Sequence, residues 1–147
     1  MGYVKNAMNT TKAKYILSKA KIMNFKFATA INCIDGRVKA AVAEFIKNSY
    51  NVDYVDMITV PGPDKLLSEY KNIHEIESIK RKMLVSCSKH DSKLLFIVGH
   101  DDCAVNPAEE KKHYAQIKKS MENIKKWNLK IDVHGIWINK NLEAVAL

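Results

Sequence analysis

Two short stretches concentrate side chains that could do chemistry. "NCIDGRV" (32–38) sets Cys33, Asp35 and Arg37 at alternate positions behind an apolar run, and "GHDDC" (99–103) spaces His100 and Cys103 three apart. Thiolate and imidazole are preferred zinc ligands, and three protein ligands leave a fourth tetrahedral position for water. Cys33, His100 and Cys103 are therefore a candidate zinc site, in which His100 and Cys103 can turn onto one ion as the chain leaves a strand. Only the fold can close the gap from Cys33 to His100. Each residue also has a plainer reading: Cys33 as a buried structural thiol, His100 as a satisfied histidine at a strand end, Asp35 and Arg37 as a surface ion pair worth little. Those readings are awkward taken jointly, and metal binding is favoured.

The elements that must position these residues follow from apolar periodicity. "FKFATAINC" (25–33) reads as a first strand. The helix after it, "VKAAVAEFIKNSY" (38–50), puts Val38, Ala41, Val42, Phe45 and Ile46 on one face. A second strand (52–60) ends at the breaker "PGP", a short helical piece follows around "DKLLSEY", and a longer helix spans 73–89 with Ile76, Ile79, Met83 and Cys87 inward. A third strand (93–99) leads into "HDDCAVN" and another helix. There Asn106 is the expected N-cap and Pro107 the first helical residue, with Glu109 and Glu110 in the first turn. The stripe of this helix is Tyr114, Ile117, Met121 and Ile124, and a fourth strand covers 130–139.

Alternating strands and helices imply an α/β fold: a parallel sheet of about four strands with helices on both faces. Right-handed crossovers make 2-1-3-4 a natural order, whose switch point lies between strands one and three, where ligands bind beyond the carboxyl ends. "CIDGR" and "GHDDC" both fall there.

Length and composition bound the rest. The 147 residues, 47% hydrophobic and 27% charged, suit one globular domain over 1–147, with 1–24 expected to hold a peripheral basic helix. Three cysteines are too few for a disulfide framework, and without a secretory signal the cytoplasm is the expected compartment. The longest apolar run, "LLFIV", cannot span a bilayer, so no membrane association is expected. The net charge of +8 is a lysine-loaded surface: all but two of the 24 basic residues are lysine, and no RNA-binding or zinc-finger motif accompanies them. Specific nucleic-acid binding is not expected. Cys87 is read as core, His74, His90 and His113 as solvated, and His134 is given no role. Asp101 and Asp102 are read as turn caps, with proton relay or contact with Arg37 as alternatives, and "PGPDK" as a turn that could wall the pocket.

The pair C-x-D-x-R and H-x-x-C, each behind a strand, resembles the signature of the β-class carbonic anhydrases. The similarity runs over roughly residues 25 to 142, with the closing "VHGIWI" like that family's last core strand. The chain departs from the pattern at Gly36, where serine is usual, at Ala104, where glycine is usual, and at "VPGPDK", which replaces a stretch like "RNAGN". It also has little of the N-terminal arm that embraces a partner subunit.

The resemblance implies that Cys33, His100 and Cys103 hold Zn2+ and that Asp35 and Arg37 form a catalytic dyad. It implies a lyase that hydrates carbon dioxide reversibly to bicarbonate through a zinc-bound hydroxide, and a homodimer or higher homo-oligomer. In some members the aspartate closes the site as a fourth ligand. A planar guanidinium can hold a carboxylate with paired hydrogen bonds where lysine cannot. Alternatives on the same scaffold are hydrolysis of carbon disulfide or carbonyl sulfide, and a non-catalytic zinc- or anion-binding module.

Overall fold

Strands buried on both faces read as near-continuous apolar runs, and "LFIV" at 95–98, fully excluded from solvent, is such a run. The computed structural model describes residues 25–147, so the helix expected within 1–24 lies outside the described residues. Four strands, β1 (Phe27–Cys33), β2 (Tyr54–Val60), β3 (Leu94–His100) and β4 (Asp132–Ile138), lie parallel in the order β2-β1-β3-β4. This is the expected order. A short strand that periodicity does not reveal, β5 (Ala144–Ala146), pairs antiparallel with β4 and makes a fifth, edge position.

Alternating side chains divide the core between the two faces. Helix α1 (Lys39–Tyr50) covers one with Val42 and Ile46, against Ala28, Ala30, Phe96, Val98, Ile136 and Ile138. Helices α2 (Pro63–Glu69), α3 (Ile73–His90) and α4 (Glu110–Lys125) cover the other. Leu67, Ile76, Ile79, Met83 and Ile124 pack there on Ile31, Ile58, Leu95 and Ile97, with Cys87 partly buried among them as expected. Asn72 caps α3 by accepting a 3.2 Å hydrogen bond from the Glu75 amide, and Asp91 ends that helix in the left-handed conformation. Among the described residues no helix is long and apolar enough to cross a membrane.

Three local expectations are corrected. Asn106 does not cap α4, which begins at Glu110 behind an extended Glu109. Its side chain is buried and bonds instead to Asp64 and Gln116. His113 is not solvated but fully buried on the inner face of α4, which carries Gln116, Ser120 and Asn123 beside Ile117 and Ile124. His90 is half-buried, stacks on Phe27 with ring centroids 4.3 Å apart, and bonds Asp56. In each case a polar partner within the fold wins over the solvation that a polar residue near a helix end leads one to expect.

Candidate metal centre

Parallel pairing of β1 with β3 sets Ile31 opposite Ile97. The strands continue to Cys33 and His100, which therefore emerge side by side at adjacent carboxyl ends. Beyond β3 the chain turns through Asp101, whose amide bonds the Ile138 carbonyl at 2.9 Å, and Asp102, in the left-handed region with φ 54°. This turn brings Cys103 back over the strand ends. The ligand atoms of Cys33, His100 and Cys103 all lie within 4.8 Å of one another, and all three residues are buried.

The donor set fits a metal ion. The Nδ1 atom of His100 is 2.7 Å from the Asp101 carbonyl, a backbone partner of the kind that fixes the ring of a metal-ligating histidine. Its Nε2 is buried with no hydrogen-bond partner. Such an orphan atom calls for a ligand, and two sulfurs beside it are the soft donors zinc favours.

Electrostatics separate the two thiols. Burial pushes Cys33 up, but the neighbouring His100 ring and the Asp35 and Gly62 backbone outweigh it and bring the thiol down to about 7. Burial raises Cys103, despite backbone hydrogen bonds at Val105 and Asn106. For His100, burial lowers the pKa, and the stronger influence of Cys33 and the Asp101 carbonyl raises it. A dication would replace the protons that these groups otherwise share.

Asp35 and Arg37 meet beside the cluster. The guanidinium donates from Nε to both Asp35 oxygens at 3.1 Å and from Nη2 to Oδ2 at 2.7 Å, and the Arg37 amide adds a 3.0 Å bond to Oδ1. These bonds hold the Asp35 carboxyl down at about 2. Nη1 reaches Asp102 at 3.3 Å, so Asp102 contacts Arg37 while Asp101 does not bond it. Asp35 is committed to Arg37 and lies outside the three-residue cluster. A cleft of about 140 Å3 opens beside His100, lined by Arg37, Val38, Asp102 and Ile138. It suits a molecule of a few atoms; sites for drug-sized ligands run to about 300 Å3 and more. A larger cavity of about 740 Å3 lies at the other end of the strands, around Phe27 and His90, away from the cysteines.

A mostly parallel α/β sheet covered on both faces carries, at the carboxyl ends of its switch-point strands, a cysteine–histidine–cysteine cluster that could hold a metal ion. Residues 23–147 match the family described as "Putative carbonic anhydrase", and the chain belongs to that family as a divergent member. Among solved structures it is similar to the β-carbonic anhydrase CcaA, with TM-score 0.50 and 11% identity over 99% of this chain and 88% of that one. It is also similar to the β-carbonic anhydrase CafA of Aspergillus fumigatus (TM-score 0.46, 12% identity, 99% of this chain and 86% of that one). A tetrameric β-carbonic anhydrase of Sordaria macrospora gives TM-score 0.47 and 12% identity over 99% and 93% of the two chains. Identities this low speak for the fold alone. No curated protein matches the sequence.

All five singled-out positions therefore fall at one end of the sheet. Gly62, which packs against Cys103, was visible in the sequence only as the central residue of a "PGP" turn.

Proposed function

We propose that the chain catalyses reversible, zinc-dependent hydration of carbon dioxide to bicarbonate, with Cys33, His100 and Cys103 as ligands and Asp35 and Arg37 as the catalytic pair. The observation that supports this most strongly is the orphan Nε2 of His100, aimed into a buried two-thiol cluster beside a clamped carboxylate, in a chain of the carbonic anhydrase family. When bound, Zn2+ supplies the Lewis acidity that brings the ionisation of water towards neutral pH.

The protein's own residues do the rest. Asp35, held at about 2 by Arg37, is ionised throughout the neutral range and is a weak base. Its task is to accept a hydrogen bond and orient an O–H, not to store the proton. Arg37 keeps that carboxylate aimed through its fork of donors, and Asp102 steadies the guanidinium from the other side. Val38 and Ile138 give the cleft an apolar wall for an uncharged substrate. The Arg37 side chain is 56% exposed, so a proton released at the pair reaches solvent without a buried relay.

One sheet with core clusters on both faces supports reading the chain as a single domain. Self-association is part of the proposal: Tyr54 on the β2 edge and Leu84 and Val85 on α3 are exposed apolar side chains that a second copy would cover. Metal analysis tests the centre. Protein reconstituted at neutral pH should carry one zinc per chain and Cys103→Ser protein much less; folded wild-type protein that takes up no zinc would contradict the proposal.

A further inference from the structure

Four polar side chains, His113, Gln116, Ser120 and Asn123, line the inner face of α4, where an amphipathic helix ordinarily places apolar ones. Asn123 donates to the Leu67 and Ser68 carbonyls, and the other three gather around Asp64, a carboxyl in the first turn of α2 that is only 1% exposed. The Oδ2 atom of Asp64 meets His113 Nδ1 and accepts from Asn106 Nδ2 at 3.2 Å. Asn106 Nδ2 also donates to Gln116 Oε1 at 2.8 Å, and Ser120 Oγ donates to the Asp64 carbonyl at 2.9 Å. Asp64 Oδ2 packs on Gly99 so closely that a Cβ there would sit 2.9 Å from it.

Both ends of this network touch the backbone that supports the sulfurs. Asp64 lies two residues after Gly62, and its carboxylate packs on Gly99, the residue before His100. The Asn106 amide donates to the Cys103 carbonyl at 3.1 Å. Gly62 itself packs under Cys103: a Cβ on it would lie 3.9 Å from that sulfur and 2.8 Å from Val105 Cγ2. The 61–64 turn and the 103–106 loop thus pack against each other at the Cys103 sulfur, and the Asp64–Asn106 bond joins them.

We propose that Asp64, Asn106, His113 and Gln116 are positioning residues for the metal centre, a buried polar network that holds the 61–64 turn and the 103–106 loop in place around the Cys103 sulfur and against the His100 end of β3. The proposal rests on the metal-centre reading above. It differs from a satisfied polar core in one respect: breaking the network weakens metal binding itself, beyond any loss of stability. Loss of outer-shell partners of metal ligands typically costs about 10- to 100-fold in affinity.

The test measures Zn2+ affinity by competition with a chromophoric chelator, the Co2+ absorption spectrum, and urea unfolding of the zinc-free full chain. Asn106→Ala and His113→Leu should bind zinc about 10- to 100-fold more weakly and shift the Co2+ bands. His113→Asn, which keeps a nitrogen donor near the Nδ1 position, should recover most of the affinity. Thr29→Val removes a buried hydroxyl that bonds Ser86 and Ser92 near the other end of β1. It should lower the unfolding midpoint and leave zinc affinity unchanged. If Asn106→Ala does not fold, Gln116→Ala, at the rim of the network, carries the same comparison. Variants that lose stability but bind zinc as tightly as wild type would overturn the positioning role. Folded wild-type protein that binds no zinc would instead overturn the metal centre, and this inference with it.

Discussion

Arg37 holds both carboxylate oxygens of Asp35, with Nη2 at 2.7 Å from Oδ2 and Nε at 3.1 Å from each oxygen. Two donors in one plane fix the direction of the carboxylate as well as its charge. A lysine would keep the charge and lose the direction. Arg37→Lys should therefore retain its zinc and lose hydration activity by about 10- to 100-fold, the usual effect of losing an outer-shell partner. Full activity in the lysine variant would show that charge alone suffices.

Two glycines near the site should respond in opposite ways. Gly62 has φ +52° and would drive a Cβ to 2.8 Å from Val105, so Gly62→Ala should cost roughly 1–3 kcal/mol in urea unfolding. Gly36 is free of positive-φ strain and a Cβ there meets nothing within 4 Å. The family's usual serine fits at that position, and Gly36→Ser should change stability by no more than about 0.5 kcal/mol. A destabilised Gly36→Ser, or a Gly62→Ala as stable as wild type, would contradict this backbone account.

The three cysteines should separate by alkylation and mass mapping. In zinc-loaded protein Cys33 and Cys103, the proposed ligands, should be protected. After chelation Cys33 should react ahead of Cys103 near neutral pH, because the neighbouring His100 ring and backbone hold it at about 7 while burial raises Cys103. Cys87 is raised by burial among the α3 contacts. Its folded form favours the neutral thiol, so its contribution to stability is full below the ordinary thiol pKa and is lost as pH rises through the raised value. Its alkylation should accordingly be slow at neutral pH, accelerate in alkali and ignore zinc. Zinc protection of Cys87, or none of Cys33, would contradict the assignment.

The fold was legible where one signal dominated. A continuous apolar run marked β3, apolar-rich segments bounded by breakers marked the other three parallel strands, and helix-spaced residues such as Ile76, Ile79 and Met83 marked α3. Their alternation then implied the order that brings Cys33 and His100 together. Ala144–Ala146 was not legible, because three small residues carry no period and the pairing is set by the turn in which the Asn139 amide bonds the Glu143 carbonyl.

The inner face of α4 was misread for another reason. His113, Gln116, Ser120 and Asn123 repeat at helical spacing as regularly as Ile117 and Ile124 do, but apolar periodicity is blind to a polar stripe. The same blindness made Asn106 look like a cap, since an asparagine before proline and two glutamates fits a helix start. Its buried partners Asp64 and Gln116 lie far away in sequence or on the next helix.

The most direct test of the proposed function is stopped-flow carbon dioxide hydration from pH 6.5 to 9, on protein of verified zinc content, with Asp35→Asn and Cys103→Ser alongside and carbonyl sulfide as a second substrate. The expected result is zinc-dependent hydration that falls by about 100-fold or more in Asp35→Asn with its zinc retained, and disappears in Cys103→Ser with its zinc lost. Folded, zinc-loaded wild-type protein that hydrates no carbon dioxide anywhere in that range would contradict the account.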